Sequence, residues 1–80
     1  MNYKELDVVA LVRDVAHYAL RRGNRGTIVF VYDPDTFEVE FLFESGETAA
    51  VIELTSADIR PATDHDQRAV RSHAQLTGSE

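Results

Sequence analysis

The feature that most limits the fold is a pair of β-like segments, joined by a turn, in the middle of the chain. Residues 27–32 and 37–43 are rich in β-branched and aromatic types, and apolar side chains recur at every second position of the latter. Residues 33–36, which include Pro34, have the composition of a turn. Ser45-Gly46 indicates a second hairpin with a two-residue loop, leading into another strand. The pattern predicts consecutive antiparallel strands and therefore a mainly β fold.

The two turns also predict the strand register. Paired residue numbers should sum to near 70 across the first turn and to 91 across the second. The expected pairs are Val31 with Val39, Val29 with Phe41, Phe43 with Thr48, Phe41 with Ala50, Val39 with Ile52, and Phe37 with Leu54. All these side chains fall on one face of the sheet, which is the predicted core.

The opposite face of this sheet is predicted to be both apolar and acidic. It collects Ile28, Phe30, Tyr32, Leu42, Ala49 and Val51, together with Glu38, Glu40 and Glu53. Outer faces of antiparallel sheets are usually polar, so this face is either covered or a contact surface. From Gly26 to Asp58 the chain carries eight carboxylates and neither Lys nor Arg. Such a surface suits a basic protein partner and repels a phosphate backbone.

The segments before and after the hairpins are less sharply defined. The Val-rich residues 7–12 favour a strand, followed by a loop from residue 14 to 26, although apolar spacing leaves a helix over residues 6–21 as an alternative. Residues 56–62 predict a turn or 3₁₀ segment leading into a brief last strand. Thr63 and Asp64 could cap a short helix over 66–75. We expect a β domain at residues 1–62 and a polar tail, helical or irregular, at residues 63–80. The outer face of the sheet is one surface against which this tail would pack.

Composition excludes several classes of function. Eighty residues suffice for one domain, and a net charge of −6 argues against nonspecific binding to nucleic acid or anionic membranes. The chain has no cysteine, so it forms neither disulfides nor thiolate zinc sites. Its N-terminus is too polar for a signal peptide, and no apolar run approaches the ~18 residues of a membrane span. A cytoplasmic protein is the expectation.

No group of residues supports catalysis. Glu38 and Glu40 share a strand face about 7 Å apart, but a solvated acidic strand explains them without acid–base chemistry. No serine lies in a nucleophile motif. We therefore expect no enzyme, no cofactor and no metal. The spacing of four tail residues matches no standard metal site: Asp64, His65, Asp66 and His73.

Four strings along the chain resemble a known family. They are LDVVAL at residues 6–11, LRRGNRGTIV at 20–29, FEVEF at 37–41 and DIRP at 58–61. They are similar to a pattern, LDVVAL, LxRGxxGTVV, FEVEF and LRP, of small bacterial proteins catalogued as a domain of unknown function. The strands also resemble SH3-like barrels of the KOW type, in which a Gly-Thr-Val-Val strand follows a glycine loop. The resemblance implies a small SH3-like antiparallel barrel. It also implies a neutralising role, because family members are often encoded beside another small protein in toxin–antitoxin or effector–immunity arrangements.

We therefore predict a non-catalytic protein-binding module of antitoxin or immunity type. Its partner would be a small basic protein, such as a toxin encoded nearby, or a homodimer mate. Aromatic residues would anchor the partner and glutamates would steer it. The predicted partner-binding residues are Phe30, Tyr32, Glu38, Glu40, Leu42, Val51 and Glu53.

Two alternative functions remain open at the level of sequence. A KOW-like RNA- or ribosome-binding domain would use Arg21, Arg22 and Arg25, although the net charge of −6 opposes it. A self-associating structural domain would cover Phe30 and Tyr32 with its own tail or a second copy.

Overall fold

The computed structural model describes residues 2–66 and Val70. The strands are β1 (Val8–Leu11), β2 (Arg25–Asp33), β3 (Thr36–Leu42), β4 (Thr48–Thr55) and β5 (Ile59–Pro61), and the 3₁₀ helices are Ala16–Tyr18 and Ser56–Asp58. All strand pairs are antiparallel and form one sheet in the order β4-β3-β2-β1-β5. The predicted mainly β class is confirmed, and the architecture is consistent with a small SH3-like fold. Within the described residues the edge strands β4 and β5 do not pair, so the barrel is not closed.

The N-terminal segment is a strand, as its valine content predicted. Val9 and Leu11 are fully buried in the core, and β1 pairs with β2 on one side and β5 on the other. The alternative helix over residues 6–21 is wrong, because these long-range ladders occupy the backbone groups of β1. Within residues 6–21, Ala16–Tyr18 alone is helical, as a single 3₁₀ turn. The predicted 3₁₀ segment and brief last strand near the end of the domain are confirmed.

The register of the second hairpin is largely as predicted, and it differs only beside the loop. Phe37–Leu54, Val39–Ile52 and Phe41–Ala50 pair as expected, whereas Thr48 lies opposite Leu42 instead of Phe43. The cause is a register shift after Phe41. The connection is also wider than two residues, because Phe43 donates its amide hydrogen to Glu47 O at 2.8 Å. Gly46 adopts a positive φ of 94° in this loop, a conformation that glycine takes without steric cost.

The register of the first hairpin was predicted wrongly. Ile28 lies opposite Val39 and Phe30 opposite Glu38, with irregularities between Ile28 and Phe30 and between Val31 and Asp33. Ile28 is therefore fully buried instead of lying on the outer face, and Val29 is 39% exposed instead of lying in the core. An extra residue in a strand reverses the face of the residues that follow it. The irregularity thus buries Ile28 and still leaves Phe30 outside.

The core extends past the predicted end of the β domain. Val70 is buried, packs in the main apolar cluster, and donates its amide hydrogen to Leu42 O at 2.8 Å. The predicted helix over 66–75 lies outside the described residues, apart from Asp66 and Val70. In the described part of the chain no helix is long and apolar enough to cross a membrane. The largest fully buried side chains are Phe37, Phe41, Leu11, Leu20, Ile28, Val9 and Val39.

Candidate functional site

The residues predicted to bind a partner lie on three neighbouring strands. Phe30 on β2 is opposite Glu38 on β3, which is opposite Glu53 on β4. One row further along, Glu40 is opposite Val51. Strand alternation places these side chains on the face opposite the core. We call this surface the outer-face patch; it comprises Phe30, Tyr32, Glu38, Glu40, Leu42, Val51 and Glu53.

Two aromatic side chains form the most exposed apolar part of the patch. Phe30 is 49% exposed and Tyr32 is 52% exposed. Their ring centroids are 4.9 Å apart with an interplanar angle of 70°, which is an edge-to-face contact. Such contacts are favourable beyond area burial, so the rings hold each other in place before any partner arrives. Exposed aromatic side chains of this kind commonly anchor protein–protein interfaces.

The hydroxyl of Tyr32 connects the aromatic pair to the acidic residues. It donates a hydrogen bond to Oε2 of Glu38 at 2.5 Å. This bond raises the pKa of Tyr32 above its ordinary value, with smaller contributions from burial and from the charges of Glu38 and Glu53. The bond orients the Glu38 carboxylate and leaves its other oxygen available to a partner.

The three glutamates of the patch concentrate negative charge. Glu38 and Glu53 are direct cross-strand neighbours, an arrangement of like charges that destabilises a sheet. Glu40 accepts a hydrogen bond from the Thr48 hydroxyl at 2.7 Å. Within the described residues, none of the three forms an ion pair with Lys or Arg. A cation brought by another molecule would therefore relieve repulsion as well as form new bonds.

A different part of the outer face is already covered by the chain itself. Ala10 lies between the core residues Val9 and Leu11 and so points away from the core, yet it is fully buried. Its cross-strand neighbours are Arg25 on β2 and Arg60 on β5. We call residues 62–66 the strap, because they contact both arginines and close this end of the outer face.

The strap is held by charge-assisted hydrogen bonds. Arg60 donates from both terminal nitrogens to Asp66, at 2.9 and 2.6 Å, in a bidentate ion pair. Asp66 also accepts from the amide and hydroxyl of Thr63. The bond with Arg60, followed by the amide of Thr63, holds the pKa of Asp66 far below its usual range. Arg25 donates to the Thr63 carbonyl and lies 3.9 Å from a carboxylate oxygen of Asp64.

The three candidate RNA-binding arginines differ in whether the chain itself binds their side chains. The Arg25 guanidinium is occupied by the strap, whereas Arg21 and Arg22 are exposed in the turn before β2. No described residue forms an ion pair with Arg21 or Arg22. Half-exposed Tyr18 belongs to the same connection between β1 and β2.

No group of three or more His, Cys, Asp or Glu among the described residues could hold a metal ion. A depression is lined by Asp14, Arg21, Asn24 and Val70, and two of its polar side chains bind backbone groups of the loop itself. Asp14 accepts the amide hydrogen of Arg22, and Asn24 accepts that of Arg21, both at 2.8 Å.

Sequence reasoning identified the outer-face patch but missed the strap. Arg25 and Arg60 are 35 positions apart, and only the pairing of β1 with both β2 and β5 brings them to either side of Ala10. No local spacing signals this arrangement. The bidentate ion pair between Arg60 and Asp66 has no sequence signature either, because the segment after β5 has the composition of a polar linker.

Comparison with known proteins matches part of this chain to a family. A family model described as a domain of unknown function (DUF4926) matches residues 5–61. No curated protein and no solved structure matches the chain. The matched range contains the whole outer-face patch and ends before the strap and Val70.

Proposed function

The chain belongs to the DUF4926 family of domains of unknown function, and we propose that it is a non-catalytic binding module that holds a small basic protein on the outer-face patch. In this proposal the protein acts in the cytoplasm as an antitoxin- or immunity-like partner, covering a cationic surface that its target needs. One observation carries the proposal: two half-exposed aromatic rings in mutual contact lie among three glutamates that have no cationic partner among the described residues.

Each part of the patch has a separate role in this mechanism. Phe30 and Tyr32 bury apolar area at the centre of the contact, where desolvation makes interface residues most effective. Glu38 and Glu53 receive a partner arginine or lysine between them, which removes their mutual repulsion. The net charge of −6 attracts a basic protein from a distance and speeds its association.

The second candidate is a KOW-like RNA-binding role at the turn before β2. It is favoured by exposed Arg21 and Arg22, which have no ion-pair partner in the described chain, and by half-exposed Tyr18 as a stacking platform. Arg25 would contribute less, since its guanidinium is bound to the strap. Two arginines on a chain of net charge −6 make a weak electrostatic footprint, so we rank this candidate second.

Affinity capture with paired variants tests the proposal. The tagged protein is expressed in its native background and purified at moderate and at high salt, and the recovered proteins are identified. The test variant is Phe30→Ala with Glu40→Arg. The control is Tyr18→Ala with Glu5→Arg, which makes an equivalent aromatic truncation and charge reversal outside the patch.

The expected result is one small basic protein in fixed stoichiometry, weakened by salt and retained by the control. The test variant should lose at least tenfold in affinity for this protein while keeping its fold by circular dichroism. Equal affinity of both variants would refute the proposal. Recovery of RNA, lost on Arg21→Glu with Arg22→Glu, would favour the second candidate instead.

A further inference from the structure

The two edges of the sheet differ in how well they are protected against pairing. β5 is a three-residue strand that contains Arg60 and ends at Pro61. Short length, a charged residue and proline are the devices by which natural sheets protect an edge. β4 has eight residues, and its sequence TAAVIELT contains no proline, glycine, lysine or arginine. It is a long edge in which Glu53 is the one charged residue.

The geometry of β4 also suits the addition of another strand. From Ala50 to Thr55 it pairs with β3 in regular register, and the one irregularity lies near its start. In the described chain β3 is its only strand partner. Alternate residues of an edge strand direct their backbone N–H and C=O groups away from the sheet, so β4 offers hydrogen-bonding groups along its free side.

The side chains of β4 define what an added strand would meet. On the outer face it presents Val51, 47% exposed, and Glu53, which neighbours Glu38 on β3. On the core face it presents the margin of the core at Ala50, Ile52 and Leu54, which are 8%, 6% and 3% exposed. A strand beside β4 would therefore gain from basic residues on the outer face, and its core-face residues would adjoin the margin of an apolar core, which favours apolar types.

We propose that β4 is a docking edge, to which an extended segment of a basic protein adds as a further antiparallel or parallel strand. The segment alternates basic and apolar residues: lysine or arginine lies beside Glu53 on the outer face, and apolar side chains lie on the core face beside Ile52 and Leu54. This inference rests on the proposed function and specifies how the partner is held. Backbone hydrogen bonds supply affinity in such strand addition, and the alternating side chains supply specificity.

Charge selects a basic segment over a second copy of this chain. Pairing two β4 edges would bring no cation to Glu53, because β4 contains neither lysine nor arginine. Each copy would also add a net charge of −6 to the assembly. A basic segment instead neutralises the acidic row formed by Glu53 and Glu38.

Synthetic peptides test this inference on the intact protein. The probe is acetyl-(Lys-Val)₄-amide, compared with acetyl-(Glu-Val)₄-amide. Two further probes carry N-methyl groups on all lysines or on all valines, which removes the backbone donors from one strand edge and keeps the side chains. Binding is followed by NMR, with amide hydrogen exchange measured for every β4 residue. Glu53→Lys is the test variant and Glu5→Lys the matched control.

The expected result has three parts. The Lys-Val peptide binds at least tenfold more tightly than the Glu-Val peptide and slows exchange at alternate β4 amides. At least one of the two N-methylated peptides binds tenfold or more weakly than the unmethylated Lys-Val peptide. Glu53→Lys weakens binding at least fivefold, whereas Glu5→Lys changes it less than twofold.

Several results would overturn the docking edge. One is equal binding of the methylated and unmethylated Lys-Val peptides, and another is no preference for the Lys-Val peptide over the Glu-Val peptide. A third is that the outward-facing β4 amides already exchange slowly in the free protein, because a second copy or the chain's own tail covers them. If partner capture depends on the patch but β4 stays unprotected, the proposed function stands and the docking edge fails. If β4 binds the peptide but no basic protein is captured, the docking edge stands and the proposed function fails.

Discussion

Gly26 is the position at which adding one methyl group should be most damaging. A Cβ atom there would lie 2.6 Å from Cγ1 of Val39, 2.8 Å from Cε2 of Phe41 and 3.0 Å from the carbonyl oxygen of Glu40. Comfortable carbon–carbon contacts are about 3.5–4.0 Å, so the overlap is roughly 1 Å on two sides. Val39 and Phe41 are fully buried, and a β-branched valine has few alternative rotamers.

We expect Gly26→Ala to lower the free energy of unfolding by about 2–3 kcal/mol, the upper part of the range for overpacking. For a domain of this size each 1 kcal/mol corresponds to roughly 4–8 °C, so Tm should fall by about 10–20 °C. Chemical denaturation and thermal unfolding measure the two quantities.

A double-mutant cycle with Val39→Ala isolates the cause. Val39→Ala alone removes core volume and destabilises, but it also creates room for the new methyl group. The double variant should therefore be more stable than the sum of the single effects predicts, by about 1 kcal/mol. Additive effects, or a Gly26→Ala variant as stable as the parent, would refute the close approach of β2 to β3 at this residue.

Three further predictions concern the outer face and the core. Glu38→Gln should lower the pKa of Tyr32 toward its ordinary value, because the hydrogen bond from the Tyr32 hydroxyl to the carboxylate is the main cause of the raised pKa and the charge of Glu38 adds to it. Ultraviolet titration, with Tyr32→Phe to assign the signal, measures this pKa, and an unchanged value would contradict the contact between the two side chains. Asp66 has a depressed pKa in the folded state, so its stabilising effect is complete above the unfolded value of about 4 and is lost as the pH falls below it. The difference in unfolding free energy between the parent and Asp66→Asn should therefore shrink as the pH falls below ~4. The control, Asp64→Asn at an exposed position, should differ little from the parent at any pH. A difference between the parent and Asp66→Asn that grows in acid would contradict the strap. Val70→Ala should cost about 1.5–2 kcal/mol in thermal unfolding, since it removes two buried methyl groups, and an unchanged Tm would exclude Val70 from the core.

The hairpins show how far sequence alone could go. In the second hairpin, Phe37, Val39 and Phe41 alternate strictly and were correctly paired with β4, because a one-residue slip would expose all of them. In the first hairpin, Ile28, Val29, Phe30 and Val31 are all apolar. A continuous apolar run does not say which residues face inward, so the irregularity between Ile28 and Phe30 could not be found from the pattern.

The candidate site also contains features that the sequence predicted and features that only the structure revealed. The exposed positions on β3 and β4 followed from alternation and from the acidic composition of these strands, and each of Phe30, Tyr32, Leu42 and Val51 is 40% exposed or more. The strap did not follow, because it depends on Arg25 and Arg60 meeting the segment 62–66 through pairings distant in the chain. That β4 is a free edge likewise required the strand order of the whole sheet.

The sequence by itself determined the β class, most of the strands, and a sheet with one apolar core face and one outer face that mixes apolar and acidic residues, because period-two alternation and charge are local properties of the chain. Only the tertiary structure decided which strand became the free edge, where β2 changes face, and which arginines the chain neutralises within itself. These depend on contacts between residues far apart in sequence, where packing and ion pairing select one arrangement among several that local patterns allow equally well.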